Sequence, residues 1–333
     1  PTINILSKGH VILIFCYLCI AVSSDQSTIK SYTAFGEIPT CPVIMQRDNK
    51  DGGDKKKVIV IIPGNPGYKA FYDEFALELY NTLDKEIPII QTGHLGQERL
   101  CRHYDRNLPP LNDNKQLYGL DNQVKHKIDI IKNAVPENHE IFLVGHSIGS
   151  WMILEMLKNT EIRKQTKKCF LLFPTIERMA ESPNGQIFCR YNALFAPLLI
   201  FLTKLFCLAP RFLRNFIVSL YLYMSSLDGK LKIILRRFIH PEVVQRSLVL
   251  AQEEMIRVRD LDIRIIEENK SVLKLYYGTT DGWVPVQYYE EICQKIPEID
   301  AELDSDNIEH AFVLKSSKVM AQKTSLWIKN LVE

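Results

Sequence analysis

E-I-F-L-V-G-H-S-I-G-S-W-M-I-L-E-M-L, residues 140–157, is the stretch on which the fold of this chain turns. Ile141 to Val144 is a short apolar, β-branched run of the kind that fills a strand buried on both faces. Ile148 to Leu157 is longer and rich in Leu and Met, which favour a helix. Between them Ser147 stands with Gly145 and Gly149 two residues away on either side. Two positions without a Cβ let a strand turn sharply into a helix without a clash. The residue at the apex then takes strained dihedrals, points its hydroxyl outward and lies beside the unpaired N–H groups of the helix start. Five residues of this pattern arise by chance. A serine nucleophile also needs a base, a group that orients the base, and donors for an oxyanion.

The flanking chain supplies the expected context. Val58–Ile62, Ile87–Gln91, Cys169–Phe173, Val272–Tyr277 and residues 299–303 read as short strands, most of them continuously apolar. Helical periodicity covers residues 70–84, 119–135, 286–295 and 314–331 between them. Strands alternating with helices specify an α/β fold, a mainly parallel sheet flanked by helices on both faces. Ahead of this alternation, residues 28–35 and 37–45 suggest two strands of a hairpin.

Two later loops carry the partners of Ser147. Y-Y-G-T-T-D-G-W-V-P (276–285) places Asp281 just after a buried strand, and D-N-I-E-H-A-F (306–312) places His310 between the last strand and the last helix. Ser, then Asp, then His, each at the carboxyl end of a strand, is the chain order of the α/β-hydrolase triad. His310 is the expected base and Asp281 its orienting acid, with Asp304 and Asp306 as competing carboxylates. His146, inside the elbow, reads as a hydrogen-bonding or packing neighbour. P-G-N-P-G (63–67), after the Val58–Ile62 strand, is the expected oxyanion loop, its donor the Asn65 N–H, paired with the N–H of Ile148. The resulting reaction uses no metal and no organic cofactor.

Composition excludes other classes. The chain has 333 residues, 46% hydrophobic and 24% charged, which is a globular balance. A net charge of +2 with dispersed basic residues gives no nucleic-acid footprint, and Lys55-Lys56-Lys57 reads as a solvated turn. Eight cysteines are scattered; Cys16 and Cys19 have no second pair to complete a zinc site. The apolar run Val11–Val22 would rise about 18 Å as a helix. It marks residues 1–27 as a segment apart, signal-like or artefactual, and keeps a secretory route open, with Asn269 then a glycosylation sequon. Residues 28–333 form the main domain.

Between about 177 and 268 the alternation stops, and a helical insertion reads as a cap. Residues 193–224 carry only Lys204, Arg211 and Arg214 as charges, and Pro210 is expected to break the helix there. Two arms of about 21–24 Å would be short of a bilayer span and suited to a lid or a hairpin dipping into a lipid monolayer.

P-G-N-P-G, G-H-S-I-G-S, F-L-L-F-P-T-I-E-R-M-A-E-S-P-N-G (170–185), Y-Y-G-T-T-D and I-E-H-A-F together resemble the lipid droplet-associated hydrolase family of α/β-hydrolases, over roughly residues 55–333. The resemblance implies a serine lipid hydrolase on lipid droplets and endoplasmic reticulum, at their cytosolic face, acting on sterol esters or other neutral lipids. Its nucleophile, acid and base fall on Ser147, Asp281 and His310. The expected partners are a lipid ester and, through 193–224, a droplet monolayer or reticulum membrane surface. The alternatives are a droplet-surface protein with little turnover, or thioester cleavage on the same fold.

Overall fold

The computed structural model describes residues 56–98 and 108–332, and the backbone of 43–45 as a strand. The first strand of the expected hairpin and the Val11–Val22 run lie outside the described residues. Seven strands form one sheet: β1 Val43–Met45, β2 Lys57–Ile62, β3 Ile89–Gln91, β4 Glu140–His146, β5 Thr166–Leu172, β6 Leu273–Tyr277 and β7 Ala301–Leu303. Their order is β1-β3-β2-β4-β5-β6-β7. All neighbours run parallel except β1, which pairs antiparallel with β3 at one edge.

The apolar runs are explained by burial on both faces. Val58, Val60, Leu143, Leu171 and Leu275 point into one core. Their alternate neighbours Ile59, Ile61, Val144, Phe170 and Tyr276 point into the other. With successive side chains on opposite faces, both must be apolar when helices cover both sides. Along the chain the helices are α1 Asp73–Thr82, α2 Lys115–Tyr118, α3 Leu120–Ala134, α4 Ile148–Leu157 and α5 Thr160–Gln165. They continue as α6 Pro183–Leu208, α7 Arg211–Met224, α8 Leu231–Phe238, α9 Pro241–Arg257, α10 Ile263–Asn269, α11 Val286–Lys295 and α12 Ser317–Val332. α1 packs against α12 on the second face, while Met152, Ile153 and Met156 of α4 fill the first.

The elbow expected from sequence is present, with β4 ending at His146 and α4 beginning at Ile148. Ser147 between them has φ 53° and ψ −124°, a conformation that L-residues rarely adopt. Gly149 is where α4 meets the end of β2. A Cβ there would lie 2.4 Å from the Ile62 carbonyl oxygen and 2.7 Å from that of Pro63.

Helices α6 to α10 occupy the region where alternation stops, and here one expectation changes. Pro210 does separate two helices, but α6 starts at Pro183, ten residues before the apolar stretch. Ser182 caps it, its hydroxyl oxygen accepting from the Gly185 N–H at 3.1 Å, with Pro183 in the first helical position. Caps set the start of a helix, whatever its polarity. The resulting 26 residues rise about 39 Å, long and apolar enough by length and composition to cross a membrane, and only 6% of that apolar stretch is buried.

Gly149→Ala tests the elbow, because the obstructing atoms are backbone carbonyls that cannot rotate away. Overpacking of this kind costs about 1–3 kcal/mol, so in a chain of this size the melting temperature should fall by roughly 2–6 °C. A variant melting within a degree of wild type would show that α4 does not press on β2.

Candidate active site

Ser147, Asp281 and His310 follow β4, β6 and β7, so the parallel sheet delivers all three to one edge. Ser147 Oγ lies 3.0 Å from His310 Nε2, and His310 Nδ1 lies 2.6 Å from Asp281 Oδ2. The other carboxylate oxygen, Oδ1, accepts from the N–H groups of Trp283 at 2.7 Å and Val284 at 3.1 Å. Those bonds aim Oδ2 at the ring. An ionised carboxylate only accepts, so the imidazole proton sits on Nδ1 and Nε2 is left to take the serine proton. The Asp281 side chain is 1% exposed and that of His310 17%, which hides the carboxylate and leaves the imidazole reachable.

The competing carboxylates point elsewhere. Asp304 is buried and accepts from the Tyr276 hydroxyl, from Asp306 N–H at 3.0 Å and from Ile308 N–H at 2.6 Å. It shapes the loop that leads to His310. Asp306 pairs with Lys323 at 2.7 Å.

The 63–67 loop lies against Ser147, since a Cβ on Gly64 would come within 3.0 Å of Ser147 Cβ. Ile148 is the first residue of α4, so its N–H has no partner within the helix. Among the described residues neither that N–H nor the Asn65 N–H is engaged in another hydrogen bond.

One group of contacts was invisible in the sequence. Asn65 Nδ2 donates to Glu254 Oε1 at 2.8 Å and to the Ser247 carbonyl at 2.9 Å, both on α9. Gln97 Nε2 donates to Asn65 Oδ1 at 3.3 Å, and its Oε1 accepts from Gly67 N–H at 2.6 Å. Nearby on α9, buried Arg246 lies over the Tyr118 ring and donates to the Gly96 carbonyl. The loop expected to hold the oxyanion donor is therefore lashed to a cap helix.

The model of the family described as lipid-droplet associated hydrolase matches residues 55–313. The chain belongs to this family. A lipid droplet-associated hydrolase of Drosophila melanogaster is 39% identical over 296 residues, covering 88% of this chain and 95% of its own. One from Mus musculus is 36% identical over 289 residues, covering 85% and 88%. Among solved structures, an esterase from Exiguobacterium antarcticum superposes with a TM-score of 0.54 at 16% identity, covering 92% of this chain and all of that one. At that identity the likeness concerns the fold, which is that of the α/β-hydrolases, and the family places this chain among their hydrolases.

Glu254 gives a prediction about this member of the family. Burial, opposed by the Asn65 hydrogen bond, pushes its carboxyl from 4.5 up to about 8. The folded protein keeps a proton that the unfolded chain releases. Stability from this group is therefore full below about pH 4.5 and is lost as pH rises towards about 8. Glu254→Gln keeps an oxygen for Asn65 and cannot ionise. Its stability relative to wild type should rise from about pH 5 to about pH 8 by on the order of a few kcal/mol, read from melting curves across that range. A difference flat across that range would mean an ordinary carboxyl.

Proposed function

We propose that the protein is a serine hydrolase that cleaves lipid esters, sterol esters or other neutral lipids, at a lipid-droplet or endoplasmic-reticulum surface. The observation that carries the reading is the Ser147–His310–Asp281 line, at 3.0 and 2.6 Å, on an elbow whose serine has φ 53°. Ser147 Oγ attacks the ester carbonyl carbon as its proton passes to His310 Nε2. Asp281 holds the ring and stabilises the imidazolium. The negative oxygen is met by the N–H groups of Asn65 and Ile148. His310 then returns the proton to the leaving alkoxide, and the acyl group stays on Ser147. Water, deprotonated by the same imidazole, attacks the acyl-enzyme and releases the acid. Haloalkane and epoxide chemistry of the usual kind is disfavoured, because it calls for a carboxylate where this chain has Ser147.

The cap supports a lipid substrate and a lipid surface. Leu194, Phe195, Phe201 and Leu208 of α6, and Phe212 and Phe216 of α7, are exposed, a far larger apolar face than water tolerates cheaply. At the bend, burial together with the neighbouring Arg211, Arg214 and Arg237 holds the Arg236 guanidinium below its usual range. Four cations beside an apolar face suit the headgroup level of a lipid surface. The same exposed helices favour the second reading, in which the chain acts mainly as a droplet-surface protein.

A fluorophosphonate probe separates the two. Wild type should label, Ser147→Ala should not, and Ser147→Ala and His310→Ala should each lower ester hydrolysis by about 10³-fold or more. An unlabelled, inactive wild type would leave only the surface role.

Surface binding has its own test in a variant with Leu194, Leu208, Phe212 and Phe216 changed to Ser. Each loses roughly 1.5–3 kcal/mol of burial if it enters lipid, so binding to phospholipid-coated triglyceride emulsions should fall by more than about 10²-fold. Labelling of Ser147 should persist. Unchanged flotation would show that α6 and α7 do not enter the lipid.

A further inference from the structure

Behind the elbow a second chain of hydrogen bonds runs through residues that play no part in the proton transfers above. The Gly64 N–H donates to the Tyr72 hydroxyl oxygen at 2.7 Å. Tyr72 Oη lies 2.6 Å from His146 Nδ1, and His146 Nε2 lies 2.9 Å from the backbone carbonyl oxygen of His310. Gly64 immediately precedes Asn65, the expected oxyanion donor, and His310 is the expected base.

The donor and acceptor inventory allows one direction that satisfies every group. The Gly64 amide only donates, so Tyr72 accepts there and spends its own proton on His146 Nδ1. A neutral imidazole with an acceptor at Nδ1 carries its proton on Nε2, and the His310 carbonyl, which only accepts, requires that proton. Tyr72 and His146 are both buried. The ring of His146 packs edge-on against Phe312 and Phe173, with centroids 4.9 and 6.2 Å apart. Burial, reinforced by His310, brings His146 down to about 3, and burial raises the Tyr72 hydroxyl far above its usual range. Neither group changes charge between mildly acidic and mildly basic pH, so the direction of the chain is constant. Neutrality matters for chemistry as well. The His146 and His310 ring centroids are 5.2 Å apart, and a second cation there would oppose the imidazolium that His310 becomes.

We propose that Tyr72 and His146 are positioning residues: their hydrogen-bond chain ties the loop carrying the Asn65 N–H to the backbone of His310, so that oxyanion donor and base keep one register across Ser147. The proposal rests on the hydrolase reading. Phenylalanine at position 72 keeps the ring and breaks the chain, which separates positioning from packing. At position 146 it breaks the chain with a larger ring, so the folding of that variant is checked and Gln serves beside it.

The test uses the full chain and two esters of one acyl group, an aryl ester with a good leaving group and an alkyl ester whose alkoxide must be protonated by His310. Tyr72→Phe and His146→Phe should each lower kcat about tenfold, the size of one lost hydrogen bond, with KM nearly unchanged. Because both cut the same chain, the double variant should be hardly worse than the poorer single. His146→Gln offers an N–H to the His310 carbonyl and should recover part of the loss, more on the alkyl than on the aryl ester. Circular dichroism and melting curves establish that the variants are folded. Wild-type kcat in folded Phe variants, or losses that simply add in the double variant, would overturn the proposal. Should His146→Phe not fold, Tyr72→Phe against His146→Gln carries the comparison, and wild-type rates in both overturn the proposal equally. A wild type that turns over neither ester removes the hydrolase reading and this proposal together, an outcome distinct from active, unaffected variants.

Discussion

The site depends on one close approach, the first turn of α4 against the end of β2. Gly149 allows it, since any side chain there would occupy the space of the Ile62 and Pro63 carbonyls. With α4 pressed so close, the chain leaving β2 has to pass directly over Ser147, which is why Gly64 sits within a methyl group's reach of it. The elbow at Ser147 and the path of the 63–67 loop are thus consequences of the same contact. The positive φ of Ser147 is a strain of about 1–3 kcal/mol, and local bonds hold it in place. Ser147 N–H donates to the Leu172 carbonyl at 3.0 Å, and the Ser150 hydroxyl to the Gly145 carbonyl at 3.1 Å. Between two buried strands and a buried helix, the elbow has no low-energy way to relax.

From that fixed point the division of labour among the carboxylates follows. Asp281 has one oxygen occupied by two backbone N–H groups and one turned to His310, so it orients a ring. Asp304, equally buried, spends its oxygens on Tyr276 and on two N–H groups of the loop towards His310. Both are loop-shaping acids, and only Asp281 keeps an oxygen free of backbone donors, the one turned to His310. Residue type and burial alone would not distinguish them.

That is also the boundary of what sequence carries. The elbow was legible because its signals are local: two glycines at fixed offsets, a β-branched run before and a helix former after. Asp281 and His310 were legible because each stands just beyond a strand, in the order the topology demands. The β5 strand begins at Thr166, three residues before its apolar part, where its backbone already pairs with Ile141 of β4 and Lys168 reaches out to Asp300. No apolar pattern announces that. The start of α6 departs from its apolar pattern for a similar reason, since Ser182 decides it and the charge-poor stretch begins ten residues later. The Asn65–Glu254 pair joins residues 189 positions apart, and the Tyr72–His146 bond joins residues 74 apart. Contacts between distant polar residues leave no periodicity, so only the folded chain displays them.

These long-range contacts change the meaning of the cap. Its helix α9 is bonded to the Asn65 loop, and the first turn of α6 is bonded to the acid loop, where Asn184 N–H donates to the Gly282 carbonyl at 2.9 Å. α8 is tied down as well, with Phe238 packed against Tyr68 and Phe71 beside the oxyanion loop. Swinging the whole cap away would break both bonds that Asn65 Nδ2 makes to α9, to Glu254 Oε1 and to the Ser247 carbonyl, each worth about 0.5–1.5 kcal/mol, and would open the apolar contacts beneath them to water. A lid that moves as one body is therefore the costly motion. The exposed length of α6 and the outer face of α7 carry no such ties to the site and hold most of the apolar surface that water disfavours. Besides the anchored ends, a lipid surface they enter has a second route to the site in the inner face of α7, where Val218 and Leu222 share a cluster with Leu231 of α8 and with Leu314, four residues past His310. A ligand shifts a conformation only as far as its contacts differ between the two states. The anchors and this cluster together set the limit of any coupling between lipid contact and Ser147.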